Sequence, residues 1–295
     1  MRHLLRVGDL HRQDLDYLLD RAEHFKHHPT AARKLLKGRT VLLYFAKPST
    51  RTRISTETAV VRLGGVPLTV GSGELQLGRG ETIGDTARVV SSYAAAVVIR
   101  TYRDADVEAF ARSPEVPVVN ALTDGHHPMQ AITDLMTIRE HFGDLRGRKI
   151  AYVGAANNVA TSLTQAATLA GMTVAVATPP ACAPAGMVTT ADPFEAVKEA
   201  DVVYTDVWMS MGDPEEERAA RTAALEPYRV TPELMAAAAP HAVFMHCLPA
   251  HRGEEVTAEV MDGPASVVFR QAANRLPVAQ AVLEALLTGK LAGSI

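Results

Sequence analysis

Five consecutive residues, Ser49-Thr50-Arg51-Thr52-Arg53, combine three hydroxyls with two guanidinium groups. They follow a short apolar run at 41–45 and precede Ile54, Thr58 and Val61, which recur at helical spacing. A helix start offers unpaired backbone N–H groups and a partial positive charge. Hydroxyls add donors, and Arg presents a planar fork that can hold two oxygens of a phosphate. Capping explains one hydroxyl but not three beside two arginines. The cluster therefore reads as an anion site at a strand-to-helix junction.

The elements that must position it alternate along the chain. Leu15, Leu18, Leu19, Ala22 and Phe25 share one helical face that Pro29 ends. The run 41–45 reads as a buried strand, and the helix after it stops at Gly64-Gly65. A helix over 82–90 and strands at 97–99 and 118–120 follow, and Pro128 opens a helix through Leu135 and Ile138. The polar segment 143–149 marks a domain boundary, giving domains 1–145 and 146–295. Beyond it, 150–153, 173–177, 202–205 and 243–245 are strand-like, with Ala-rich helical stretches between them. The last helix is predicted over about 277–291. This alternation predicts an α/β protein of two domains, each a mostly parallel sheet flanked by helices.

Composition narrows the partners. The 295 residues carry 30 Lys plus Arg against 33 Asp plus Glu, which argues against a general nucleic-acid binder. No apolar run reaches membrane-span length, and the first ten residues lack a signal-peptide core, so neither membrane nor export is expected. Two cysteines, Cys182 and Cys247, suit reduced thiols in a cytoplasmic protein rather than a disulfide framework. His24 and His28 share a helix face without a third ligand nearby, and no metal is expected. Gly154-Ala-Ala-Asn-Asn158 follows a strand but lacks the three-glycine dinucleotide fingerprint.

The segment 45–53 (FAKPSTRTR) resembles the carbamoyl-phosphate signature of the aspartate and ornithine carbamoyltransferases. The segment 73–86 (GELQLGRGETIGDT), Arg100-Thr101, His127-Pro128-Met129-Gln130 and Asp134-Leu135 follow in family order. The resemblance spans nearly the whole chain. It implies that Ser49, Thr50, Arg51 and Thr52 cradle the phosphate of carbamoyl phosphate, and that Arg100, His127 and Gln130 hold its carbamoyl end. Gln76 matches a residue lent to a neighbouring subunit's site, within a homotrimer. The segments 206–212 (DVWMSMG) and 246–250 (HCLPA) resemble the ornithine branch rather than the aspartate branch. Asn158, Asp206, Ser210 and Met211 would then bind ornithine. Cys247 and Leu248 would lie beside the reacting carbon, and Arg275 would complete the carbamoyl-phosphate site. The resemblance also implies a last helix that packs back towards the first domain.

The chemistry suits these residue types. The attacking amine resembles that of Lys, with an ordinary pKa of about 10.4, so roughly one molecule in a few thousand is neutral at pH 7. An acidic residue such as Asp206 positions it, and a thiolate at Cys247 can accept its proton. Negative charge develops on the carbamoyl oxygen, where Thr52, Arg100 and His127 are donors. Phosphate leaves towards Arg51 and the helix start, and no cofactor is required. Domain closure would bring the halves together.

The implied reaction gives citrulline and phosphate. Departures from the family pattern are Ala46, Met129, Ala155, Ala273, Pro277 and a short, Pro- and Ala-rich segment at 179–192, which reads as a loop. Rival readings are another amine acceptor (putrescine, lysine or an acylated ornithine) and a catalytically silent ligand-binding paralogue.

Overall fold

The structure, a computed structural model, describes residues 3–76, 80–112, 116–209, 216 and 218–292. In chain order the first elements are α1 (Arg12–His27), β1 (Thr40–Phe45), α2 (Arg51–Arg62), β2 (Val66–Gly71), α3 (Ile83–Ser91), β3 (Ala94–Arg100), α4 (Asp104–Ala111), β4 (Val118–Leu122) and α5 (Pro128–Phe142). Then come β5 (Lys149–Val153), α6 (Asn158–Leu169), β6 (Thr173–Ala177), α7 (Pro193–Val197), β7 (Val202–Thr205), α8 (Arg218–Leu225), α9 (Pro232–Ala236), β8 (Val243–His246), α10 (Ala258–Met261) and α11 (Val268–Leu287). The chain forms two compact units, Met1–Met136 with Asn274–Ile295, and Thr137–Ala273.

In the first unit the strands pair in parallel in the order β2-β1-β3-β4. Central β1 and β3 bury Val41, Leu43, Ala96, Val97 and Val98 completely, as near-continuous apolar strands must when helices cover both faces. Sequence reasoning passed over β2, whose Pro67 argues against a strand. Its place at the sheet edge explains the tolerance, because proline has no N–H for a ladder. Between Ile99 and Arg100 the register against β4 shifts, so that Asn120 faces Ile99 but Leu122 faces Arg100. Such irregularities turn the strand end and re-aim its side chain.

The face predicted for α1 is the face it buries: Leu15, Leu18, Leu19, Ala22 and Phe25. Each of these leucines and the phenylalanine contributes about 1.5–3 kcal/mol relative to exposure. The C-terminal part of α11 joins this unit. Arg21 donates twice to Glu284, from Nε at 2.7 Å and Nη2 at 2.8 Å. Lys26 Nζ donates to Asn274 Oδ1 at 2.9 Å, and Gln280 Nε2 donates to the Pro29 carbonyl at 2.8 Å. The helix starts at Val268, well before Pro277, which lies in its interior. Proline suits a first turn but is not confined to it; inside a helix it removes one backbone donor.

The second unit repeats the plan with parallel strands in the order β6-β5-β7-β8. Its core joins Val153, Val203, Phe244 and Val256 to residues of α7, α9 and α10. The short segment after β6 is largely loop: a single turn at Pro180–Cys182 and one bridge from Thr190 to Ala177.

Candidate active site

In an open parallel sheet, ligands bind beyond the carboxyl ends of the strands where the strand order reverses. In the first unit that point lies between β1 and β3. Leaving β1, the chain runs through Ser49 and Thr50 into α2, whose first residue is Arg51. Thr50 is the N-cap, yet its side chain makes no capping hydrogen bond. Its hydroxyl is thus not consumed by the helix. Thr52 is buried, whereas Arg53 turns outward and pairs with Glu57 at 2.9 Å. Of the two arginines in the cluster, Arg51 is the one whose charge acts on His127.

Arg275, on α11, donates from Nη2 to Thr52 Oγ1 at 2.7 Å and from Nη1 to Gln130 Oε1. Gln130 Nε2 in turn donates to buried Asp134 at 2.7 Å. Three sequence-predicted residues, Thr52, Gln130 and Arg275, thus share one network. Arg100 ends β3 and is buried, as is His127 before α5. Burial first, then the charges of Arg275, Arg100 and Arg51, hold the His127 imidazole well below its ordinary value of 6.5. His127 is therefore neutral at pH 7, beside three guanidinium groups. Gln76 is exposed after β2, and among the described residues its side chain makes no hydrogen bond to this network.

Sequence reasoning missed the support beneath His127. Asp104 accepts from Thr123 Oγ1 at 2.6 Å, from His126 Nδ1 at 2.7 Å and from the Gly125 N–H at 3.1 Å. Asn120 Nδ2 donates to Thr123 Oγ1 at 3.0 Å, tying this turn to β4. Burial raises the Asp104 carboxyl, but the hydrogen bonds from His126 and Thr123, with the His126 charge and the Gly125 N–H, outweigh it and leave it below the ordinary range. Lys47, also buried, donates to Asp124 at 2.5 Å and lies 4.2 Å from the centre of the Tyr102 ring. Only the pairing of His126 with His127 hinted at this layer in the sequence.

In the second unit the reversal lies between β5 and β7. Gly154 leaves β5 at φ 124°, and a Cβ there would stand 3.0 Å from Thr205 Oγ1. A glycine is needed for the turn itself, which accounts for it without any dinucleotide. Asp206 follows β7. Its Oδ1 accepts from the Cys247 thiol at 2.9 Å and its Oδ2 from Asn157 Nδ2 at 2.7 Å. Asn157, which sequence reasoning passed over for its neighbour Asn158, caps α6 through Oδ1, accepting from Val159 and Ala160 N–H. Asn158 is the first residue of α6 and half-buried.

Cys247 and Leu248 follow β8. Leu248 has φ 61°, a left-handed conformation unfavourable for a side chain with a Cβ. Its N–H donates to His246 Nδ1 at 2.8 Å, which leaves Nε2 of His246 to donate to Glu255 Oε1 at 3.2 Å. Both groups are fully buried. Burial raises the Glu255 carboxyl, but hydrogen bonds from His246 and the His251 N–H prevail and lower it. Ser210 and Met211 lie outside the described residues.

Two family models match this chain in succession. Residues 2–140 match the aspartate/ornithine carbamoyltransferase carbamoyl-P binding domain, and residues 146–286 match the aspartate/ornithine carbamoyltransferase Asp/Orn binding domain. The chain belongs to the aspartate/ornithine carbamoyltransferase family. Among its relatives in this family, the ornithine carbamoyltransferase of Methanoculleus marisnigri is 47% identical over 305 residues, covering 99% of this chain and 98% of the relative. That of Bacillus subtilis is 45% identical over 302 residues, covering 97% and 94%. The solved ornithine carbamoyltransferase from Pyrococcus furiosus superposes with a TM-score of 0.92 at 46% identity, covering 98% of this chain and 97% of that one. Two departures from the carbamoyltransferase pattern are apolar core here: Met129 at the start of α5, and Ala155, which packs with Trp208 and Leu225. Among the described residues, no helix of this family member is long and apolar enough to cross a membrane.

Proposed function

We propose that the chain transfers the carbamoyl group of carbamoyl phosphate to the side-chain amine of ornithine, giving citrulline and phosphate. The observation that carries this reading is the convergence of Arg51, Arg100 and Arg275 on a neutral, buried His127. Such a cluster suits a small dianionic ester. Ser49, Thr50, Arg51 and Thr52, with the first-turn amides of α2, hold the phosphate. Arg100, His127 and Gln130 hold the carbamoyl end, with Arg275, Cys247 and Leu248 beside it. Domain 1–145 takes the donor, and domain 146–295 takes the amino acid through Asn158, Asp206, Ser210 and Met211.

In the reaction, the amine nitrogen bonds to the carbamoyl carbon while the bond from that carbon to the phosphate oxygen breaks. The phosphate keeps the electron pair and departs towards Arg51. Arg100 and His127 donate to the carbamoyl oxygen as it gains charge. Asp206 positions the ammonium, and its hydrogen-bonded partner Cys247 offers a route for the proton. Holding both substrates in line supplies much of the rate.

The same reading includes a cytoplasmic role in arginine metabolism and a homotrimer in which Gln76 enters a neighbouring site. Exposed Ile54 and Val61 on α2, and Val66 and Leu68 on β2, support an interface on this side of the first sheet. The deciding experiment supplies carbamoyl phosphate with ornithine, putrescine, lysine and acylated ornithine in parallel and measures the carbamoylated products. Citrulline should dominate. Turnover of another amine without citrulline would overturn the acceptor, and donor binding without any product would overturn the enzyme.

A further inference from the structure

We propose that His251, Glu254 and Glu255 form a binding site for a divalent cation of borderline softness, of the Zn2+ class. The segment after Pro249 folds back on itself: Arg252 bridges to Val256, and the Glu254 N–H donates to the His251 carbonyl at 2.9 Å. That turn gathers three ligand atoms within 4.8 Å of one another. His251 Nδ1 stands 3.9 Å from Glu254 Oε2 and 3.8 Å from Glu255 Oε2.

The second observation concerns Glu255. Its side chain is fully buried. Oε1 accepts from His246 Nε2 and from the His251 N–H at 2.6 Å. Oε2 is shut off from solvent and has no hydrogen-bond partner among the described residues. A buried carboxylate oxygen left so is costly, and a cation at this point satisfies it. The two donors on Oε1 act as an outer shell that fixes the carboxylate.

One imidazole nitrogen and two carboxylate oxygens suit a borderline divalent ion. Tetrahedral bonds of about 2.1 Å place ligand atoms about 3.4 Å apart. Shifts of about half an ångström bring His251 Nδ1 to that spacing from each carboxylate, and the two carboxylate oxygens lie within 4.8 Å of one another. Exposure of His251 and Glu254, at 50% and 41%, leaves an entry path and an open coordination position. Neighbouring Arg252 is engaged by Asp262 at 2.5 and 2.8 Å. The other close trio, Asp206, His246 and Cys247, is a poorer host, because both ring nitrogens of His246 are engaged.

Calorimetric titration of the untagged full chain with Zn2+, and absorption spectra with Co2+, test the site independently of turnover. One equivalent should bind that His251→Ala weakens at least tenfold, that Glu254→Gln weakens less, and that Cys247→Ser preserves. The Co2+ spectrum should lack a thiolate-to-metal charge-transfer band. Both substituted ligands are partly exposed, so unchanged circular dichroism is expected of each variant. Absence of Zn2+ binding, full affinity in His251→Ala, or a charge-transfer band abolished by Cys247→Ser would overturn the assignment.

Discussion

Both sheets reverse their strand order between the first and third strands of the unit, β1 with β3 and β5 with β7, and both present polar side chains just beyond those strand ends. What the two units do with the following helix differs. At the start of α2 the cap residue Thr50 makes no side-chain bond to the helix, so first-turn donors remain for a ligand. At the start of α6, Asn157 accepts from two backbone amides through Oδ1 and donates from Nδ2 to Asp206. One junction is left electropositive and ringed by guanidinium groups; the other is neutralised and presents a carboxylate. A shared backbone crevice thus serves opposite charges, because the residues at the helix start decide which is welcome.

The sharpest way to break this contrast is Arg51→Ala. Two charge-assisted bonds to phosphate, at about 1.5–3 kcal/mol each, put the expected loss in kcat/KM for carbamoyl phosphate at about 10²–10⁴-fold. The loss should appear as donor affinity in calorimetry. Near-normal donor affinity in the variant would contradict the division of labour between the units.

Asp206→Asn probes the other side. It removes the charge proposed to position the amine while keeping shape and one hydrogen-bonding oxygen. A single charge-assisted bond is at stake, so the KM for ornithine should rise about 10–100-fold. Donor binding, measured alone, should stay as in the parent. Equal losses on both substrates would mean that the two sites are not separable.

Much of this contrast was legible in the sequence. Strand and helix periodicity places 41–45, 173–177 and 202–205 as strands, and the five hydroxyl and guanidinium residues mark the proposed anion site. The deeper layers were not legible. Arg275 meets Thr52 and Gln130 across 223 and 145 residues of chain, a pairing that no local pattern carries. Asp104 and Asn157 act through turns rather than on a ligand, so as lone polar residues they look like ordinary caps. Pro277 misleads because the penalty on proline depends on which N–H the tertiary structure needs, and one turn of a long packed helix does not need it; edge strand β2 holds Pro67 for the same reason.

The smallest expected effect bears on the electropositive unit alone. Burial and three guanidinium charges depress His127 from 6.5 in the folded protein, while the unfolded chain keeps the ordinary value. Between the two values the unfolded state binds more protons, so stability rises with pH across that window. The contribution is complete above pH 6.5 and is lost as pH falls from there towards the depressed value. One proton sets a limiting slope of about 1.4 kcal/mol per pH unit. Urea unfolding at pH 7 and pH 5.5 should therefore show a steeper loss in the parent than in His127→Gln, by about 1 kcal/mol. An identical slope in the two proteins would mean that burial and the three cations together do not depress the imidazole, and the opposition between the units would lose its electrostatic half.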